Sequence, residues 1–77
     1  MKMIKAKERT DKYGIQYLTY KEGRKTISEI QMPYSSNVYR AIVGGLCWDY
    51  SSLERAKERT EMFLNNLYFE PIKIVYL

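Results

Sequence analysis

The sequence predicts an α+β fold: a twisted antiparallel sheet of about five to six strands, one amphipathic helix packed on one face, in the order β-β-β-β-β-α-β. Three observations predict it. Period-two runs broken by glycine-containing turns fill the first fifty positions, one helical stripe with a start signal follows near Ser51, and a β-branched, aromatic run follows Pro71. The 77 residues are read as a single domain, residues 1–77, because a chain this short buries only roughly 60% of its unfolded surface and has no core to divide.

The first element, Lys2 to Arg9, reads as a strand joined to the next by Thr10-Asp11-Lys12-Tyr13. A short helix competes there, since Lys, Ala and Glu favour helix. Gly14 to Lys21 alternates cleanly, with Ile15, Tyr17 and Thr19 on one face and Gln16, Leu18 and Tyr20 on the other. Glu22-Gly23-Arg24 makes a hairpin turn, and Lys25 to Met32 returns as the partner strand, ended by Pro33. Val38 to Val43 is β-branched and aromatic, and Gly44-Gly45 turns the chain into a strand from Leu46 to Tyr50. A helix over 36–43 is the alternative.

Ser51-Ser52-Leu53-Glu54 reads as a capping box with Ser51 at the N-cap. Leu53, Ala56, Thr60, Phe63, Leu64 and Leu67 then recur on one stripe, which predicts a helix over 52–67 with Leu53, Phe63, Leu64 and Leu67 buried. The opposite face is a solvated salt-bridge pattern, Lys57 with Glu61 and Arg55 with Glu58. In Pro71 to Leu77, Ile72, Ile74 and Tyr76 face one side while Val75 and Leu77 face the other. Such a strand is either central in the sheet or covered by a second chain. The pentapeptide Ala-Lys-Glu-Arg-Thr occurs at both 6–10 and 56–60. The flanking apolar patterns differ, so it reads as coincidence and not as a structural repeat.

Composition narrows the function classes. Without histidine the commonest general base and metal ligand are missing, and with the single Cys47 a zinc site lacks ligands. No metal, cofactor or catalytic residue is expected, and the chain is read as a non-enzymatic binding protein. Cys47, in an apolar run, reads as a small buried hydrophobe, and Asp49 as a carboxylate stabilised near the helix start. A lone cysteine predicts a reducing cytoplasmic setting. No apolar run approaches a membrane span or a signal-peptide core.

Eight tyrosines in so small a fold predict that several are exposed, with an apolar body and polar tip suited to an interface. Residues 1–25 hold eight lysines and arginines against three acids, so the net charge of +4 is concentrated there. The candidate binding residues are Tyr13, Tyr17, Tyr20, Lys21, Arg24, Lys25, Tyr34, Tyr39 and Arg40, with Trp48 and Tyr50 either core or interface anchor. The leading expectation is a regulator or inhibitor that binds a protein partner. It fits the style of phage and mobile-element accessory proteins that block a nucleic-acid-handling host machine. The alternative is a small nucleic-acid-binding domain using the basic, tyrosine-rich N-terminal sheet. A third reading is a structural homodimer. Convergence decides between the first two: nucleic acid requires the early cations on one face, a protein partner requires the tyrosines there.

Overall fold

In the computed structural model, which describes residues 1–32 and 37–77, the chain runs β1 (Lys2–Thr10), β2 (Gln16–Glu22), β3 (Lys25–Gln31), β4 (Tyr39–Val43), β5 (Leu46–Tyr50), α1 (Leu53–Leu67) and β6 (Ile72–Tyr76). This is the predicted α+β order, and Lys2–Thr10 and Tyr39–Val43 are strands where helices competed. The six strands form one sheet in the order β5-β4-β3-β2-β1-β6. β1 to β5 make an antiparallel meander, but β6 pairs with β1 in parallel, so the sheet is mixed. The helix explains the exception. α1 starts just past the end of β5 and runs back over β5, β4 and β3 to the Gly44-Gly45 tip, where β5 begins. It therefore returns the chain to the end of the sheet at which Lys2 and Glu22 lie, beside Tyr68, and β6 sets out from there in the same direction as β1.

The turns are set by local chemistry. Asp11 Oδ1 accepts from the N–H groups of Tyr13 (2.8 Å) and Ile15 (3.0 Å), closing the β1–β2 connection. Gly44 and Gly45 both hold positive φ, 57° and 85°, the two-residue hairpin geometry that side chains with a Cβ resist. The helix starts one residue later than the capping box suggested. Ser52 is the N-cap, extended at φ −141°, and its Oγ accepts from Arg55 N–H at 3.2 Å. Glu54 then sits in the first turn and favours the helix dipole without closing a reciprocal box.

Alternation divides each strand between two faces. Ile4, Ala6, Leu18, Tyr20, Ile30, Ala41 and Val43 point under α1 and are buried with Ala56 and Leu64. Ala56, Thr60 and Leu64, four apart, form the buried stripe of α1, and the small side chains at 56 and 60 let the helix approach closely. Three burial expectations need correction. Leu53 and Phe63 are only half-buried, Phe63 because its ring stacks on Trp48 (4.4 Å, 17°) over an edge strand. Leu67 is 59% exposed. It has the right angle on the helix but lies in the last turn, beside the Gly44-Gly45 hairpin tip, where glycines offer no side chain to meet it. Cys47 is exposed and not buried, because alternation turns it to the face away from the helix. Asp49 likewise pairs with Arg40 on that face and does not cap the helix. β6 is an edge strand and not central.

Candidate functional site

Beneath α1 the sheet is a core; its other face is open, with no helix over it among the described residues. Because Ile4 and Ala6 point toward the helix, Met3, Lys5, Lys7 and Arg9 point away from it. The β1–β2 register adds Tyr17, Thr19 and Lys21 to this face, with Lys5 directly opposite Lys21, Lys7 opposite Thr19 and Arg9 opposite Tyr17. β6 adds Lys73, in register with Met3, along with Val75 and Leu77. Three adjacent strands thus present Lys5, Lys7, Arg9, Lys21 and Lys73 on one surface about 20 Å long and 10 Å wide. No acid from these strands shares that face. The nearest in the sheet is Glu29, one strand further, opposite Thr19.

The cations are held apart by the pleat and not neutralised. Same-face residues along β1 recur every ~6.7 Å, and neighbouring strands lie ~4.8 Å apart. Of the two ion pairs among the described residues, Lys2–Glu22 and Arg40–Asp49, neither uses any of the five. Arg9 is partly steadied where its Nε donates to Thr19 Oγ1 at 3.4 Å, and Thr19 Oγ1 in turn donates to the Lys7 carbonyl at 3.3 Å. Like charges directly opposite on neighbouring strands are destabilising, and Lys5–Lys21 is such a pair.

The residues singled out from sequence divide between surfaces. Tyr17, Lys21 and Arg40 reach the open face, with Tyr17 and Lys21 half-buried. Arg40 is already paired, its Nε 2.9 Å from Asp49 Oδ1, an arrangement that raises the guanidinium pKa and lowers that of the carboxyl. Tyr13 is exposed in the β1–β2 turn with Lys12 Nζ 5.1 Å over its ring, and Arg24 is exposed in the β2–β3 turn. Lys25 opens β3 opposite Glu22, on the helix side. Tyr20 is fully buried, its hydroxyl 2.8 Å from that of Tyr76. Tyr39 is half-buried on the helix side, opposite Tyr50. Tyr34 lies outside the described residues. Sequence reasoning left Lys5, Lys7, Arg9 and Lys73 out of the site. The alternation Lys5-Ala6-Lys7-Glu8-Arg9 carried a signal for the first three, but Lys73 joins only through the β1–β6 pairing.

Two further features lie on the helix side. Glu22 ties three elements together: Tyr68 Oη donates to its Oε2 at 2.6 Å, and Lys2 Nζ lies 3.3 Å from its Oε1. The Tyr68 bond, then Lys2, holds the Glu22 carboxyl below the usual carboxylate range. Tyr68 is pushed up to about 12 by burial and by that same bond. At the β5 edge, Leu46 (61% exposed), Leu67, Trp48 and Phe63 line a small apolar notch. No group of three His, Cys, Asp or Glu side chains among the described residues is placed to hold a metal, and no helix there is long and apolar enough to cross a membrane. No protein-family model, curated protein or solved structure matches the chain.

Proposed function

We propose that this domain binds nucleic acid through its phosphate backbone, on the open face of β2, β1 and β6. The observation that carries the reading is the unneutralised cluster Lys5, Lys7, Arg9, Lys21 and Lys73, which includes the unfavourable Lys5–Lys21 cross-strand pair. A sheet that keeps like charges adjacent gives up stability, and a polyanion restores it by neutralising them. Nothing on this face projects far enough to read base edges in a groove, so contacts fall on phosphates and recognition is independent of sequence. Tyr17, beside Arg9 in register, offers a ring on which one base of a single strand can stack. By convergence, four of the early cations, Lys5, Lys7, Arg9 and Lys21, share this face while Lys2 and Lys25 lie on the helix side. The tyrosines gather less, since Tyr13 lies in a turn, Tyr20 is buried and Tyr39 is on the helix side, which favours the nucleic-acid alternative over the protein partner.

Fluorescence anisotropy with labelled single- and double-stranded oligonucleotides tests the proposal. Five contacts to a single strand give a log-log salt slope of about −3.5, an affinity loss of about 100-fold between about 50 mM and 200 mM salt. Lys7→Gln with Arg9→Gln, both at exposed positions, is expected to reduce the slope to about −2. Absence of binding at low salt, or an unchanged slope in the double variant, overturns the reading.

A second reading, the protein-directed regulator, draws on the apolar notch of Leu46, Trp48, Phe63 and Leu67. Exposed aliphatic and stacked aromatic side chains in one place suit a protein surface. On this reading the domain works as an accessory protein of the phage or mobile-element style, its basic face turned to the nucleic-acid path of a host machine, in a reducing cytoplasm. Capture of a partner that survives nuclease treatment and is lost in Leu46→Ser favours it.

A further inference from the structure

We infer that the outer edge of β6 is a self-association surface, and that a second copy of this chain adds there as an antiparallel strand centred on Ile74. The inference stands independently of what the open face binds. Both ends of the sheet are uncovered among the described residues, at β5 and at β6, and they differ in chemistry. In the parallel ladder, Lys2 N–H bonds the Pro71 carbonyl and Leu77 N–H bonds the Ala6 carbonyl. With the register Lys2↔Ile72 to Ala6↔Tyr76, this directs the odd-numbered residues of β6 toward β1. Ile72, Ile74 and Tyr76 therefore turn their N–H and C=O groups outward.

That outward set is self-complementary. Antiparallel pairing with Ile74 opposite its own copy sets Ile72 opposite the partner's Tyr76, and every outward donor and acceptor of both strands finds a partner. On the helix side the pairs are Ile–Ile and Ile–Tyr, the β-branched and aromatic kinds that favour sheets. On the open side Lys73 falls opposite the partner's Val75, so no like charges stand directly opposite one another. The β5 edge lacks this property. Its two-residue hairpin turns Leu46, Trp48 and Tyr50 toward β4 and leaves only Cys47 and Asp49 outward. Pairing centred on Trp48 then sets Cys47 opposite the partner's Asp49, with two outward residues per strand against three in β6 and no cation to meet the carboxylate. Of the devices that blunt natural edges, β6 carries a single one, the lysine at 73. It has no proline or bulge, and Lys73 is its sole charge in Ile72–Tyr76. Its apolar side chains are left half-covered, with Tyr76 at 40% and Leu77 at 70% exposure. A five-residue strand pair buries less than the standard interface of about 1,600 Å², so a dissociation constant of roughly tens to hundreds of micromolar is expected. The resulting sheet sets the basic faces of both protomers edge to edge at its centre.

Sedimentation equilibrium over about 5 to 500 µM, bracketing that expected range, tests the geometry through Val75, which lies on the open face outside the core cluster. Val75→Glu sets a carboxylate opposite the partner's Lys73 twice by symmetry and is expected to tighten the dimer about tenfold. Val75→Lys is expected to weaken it by a similar factor. Because residue 75 also neighbours Lys5 within the protomer, circular dichroism checks that each variant is folded, and the glutamate arm stands alone if the lysine variant is not. Independently of any substitution, amide exchange at Ile72, Ile74 and Tyr76 is expected to slow on concentration, in step with dimer formation. A monomer across the whole range for wild type and Val75→Glu overturns the inference. So does a dimer indifferent to residue 75, or exchange at these amides that ignores concentration.

Discussion

The Tyr20–Tyr76 pair makes an asymmetric prediction. The two rings meet edge to face, 5.9 Å apart and at 84°, with hydroxyls 2.8 Å apart. Tyr20 is fully buried, while Tyr76 is 40% exposed. Tyr76→Phe keeps the ring contact and strands the Tyr20 hydroxyl in the core, at a cost of about 1–3 kcal/mol, the penalty for a buried group without a partner. Tyr20→Phe leaves the Tyr76 hydroxyl within reach of water and costs about 1 kcal/mol or less. The double variant removes both hydroxyls and is expected to be more stable than Tyr76→Phe alone. Urea unfolding gives these values, and thermal melts give them as shifts of about 4–8 °C per kcal/mol for a chain of this size. A second readout is alkaline. Burial first, then the bond to Tyr76, raises the Tyr20 pKa well above its ordinary value. A raised folded value means the contribution is intact below about pH 10, where unfolded tyrosine is neutral, and is lost as pH climbs toward Tyr20's own value. Tyr20→Phe removes that part of the alkaline limb. If Tyr20→Phe costs as much as Tyr76→Phe, or if the two losses simply add, the hydrogen bond is not what holds the pair.

Two further outcomes follow from single contacts. Thr60 is fully buried and its Oγ1 has no hydrogen-bond partner among the described residues, so Thr60→Val, which removes the hydroxyl at constant shape, is expected to raise unfolding stability by about 1 kcal/mol in urea titrations; a loss of stability shows the hydroxyl is satisfied. Glu22 has a lowered folded pKa, chiefly through Tyr68 and then Lys2. Its contribution is therefore present above its unfolded value of about 4.3 and lost as pH falls through the folded one. Glu22→Gln is expected to flatten that acid limb, and an unchanged limb contradicts the Tyr68–Glu22–Lys2 tie.

How far the sequence carried depended on whether a feature was local. The meander was legible because strand alternation, the Asp11 turn and the Gly44-Gly45 hairpin are each decided within a few residues. Alternation also separated Tyr17 from Tyr20, but which of the two goes under the helix depends on where α1 lies. The repeated Ala-Lys-Glu-Arg-Thr shows the limit most plainly: at 6–10 it continues a strand into the turn, at 56–60 it is helix. In the first copy Ala6 is buried in the sheet between β2 and β6. In the second, Ala56 and Thr60 are spaced to share a buried stripe with Leu64. Neighbours thus override an identical local propensity. The candidate site was half visible for the same reason, since Lys5, Lys7 and Arg9 belong to one strand while Lys73 reaches them only across the sheet. Phe63 and Leu67 had the right helical angle, but only the strand order shows that β5 is an edge and that a glycine turn faces Leu67.

The parallel seam between β1 and β6 also orders events in time. Lys2 lies beside Ile72, so forming that ladder closes nearly the whole described chain into a loop, whereas each hairpin of the meander closes a short one. Loop closure grows costlier with length, and distant pairings are the slow ones. The meander is expected to assemble first, with β1 waiting as a temporary margin until the helix has swung the last strand across. During that wait the outer rim of β1 is open to any extended segment nearby. Refolding speed is then governed by how quickly β6 arrives, and crowded refolding is the condition under which a neighbour's strand competes for its place.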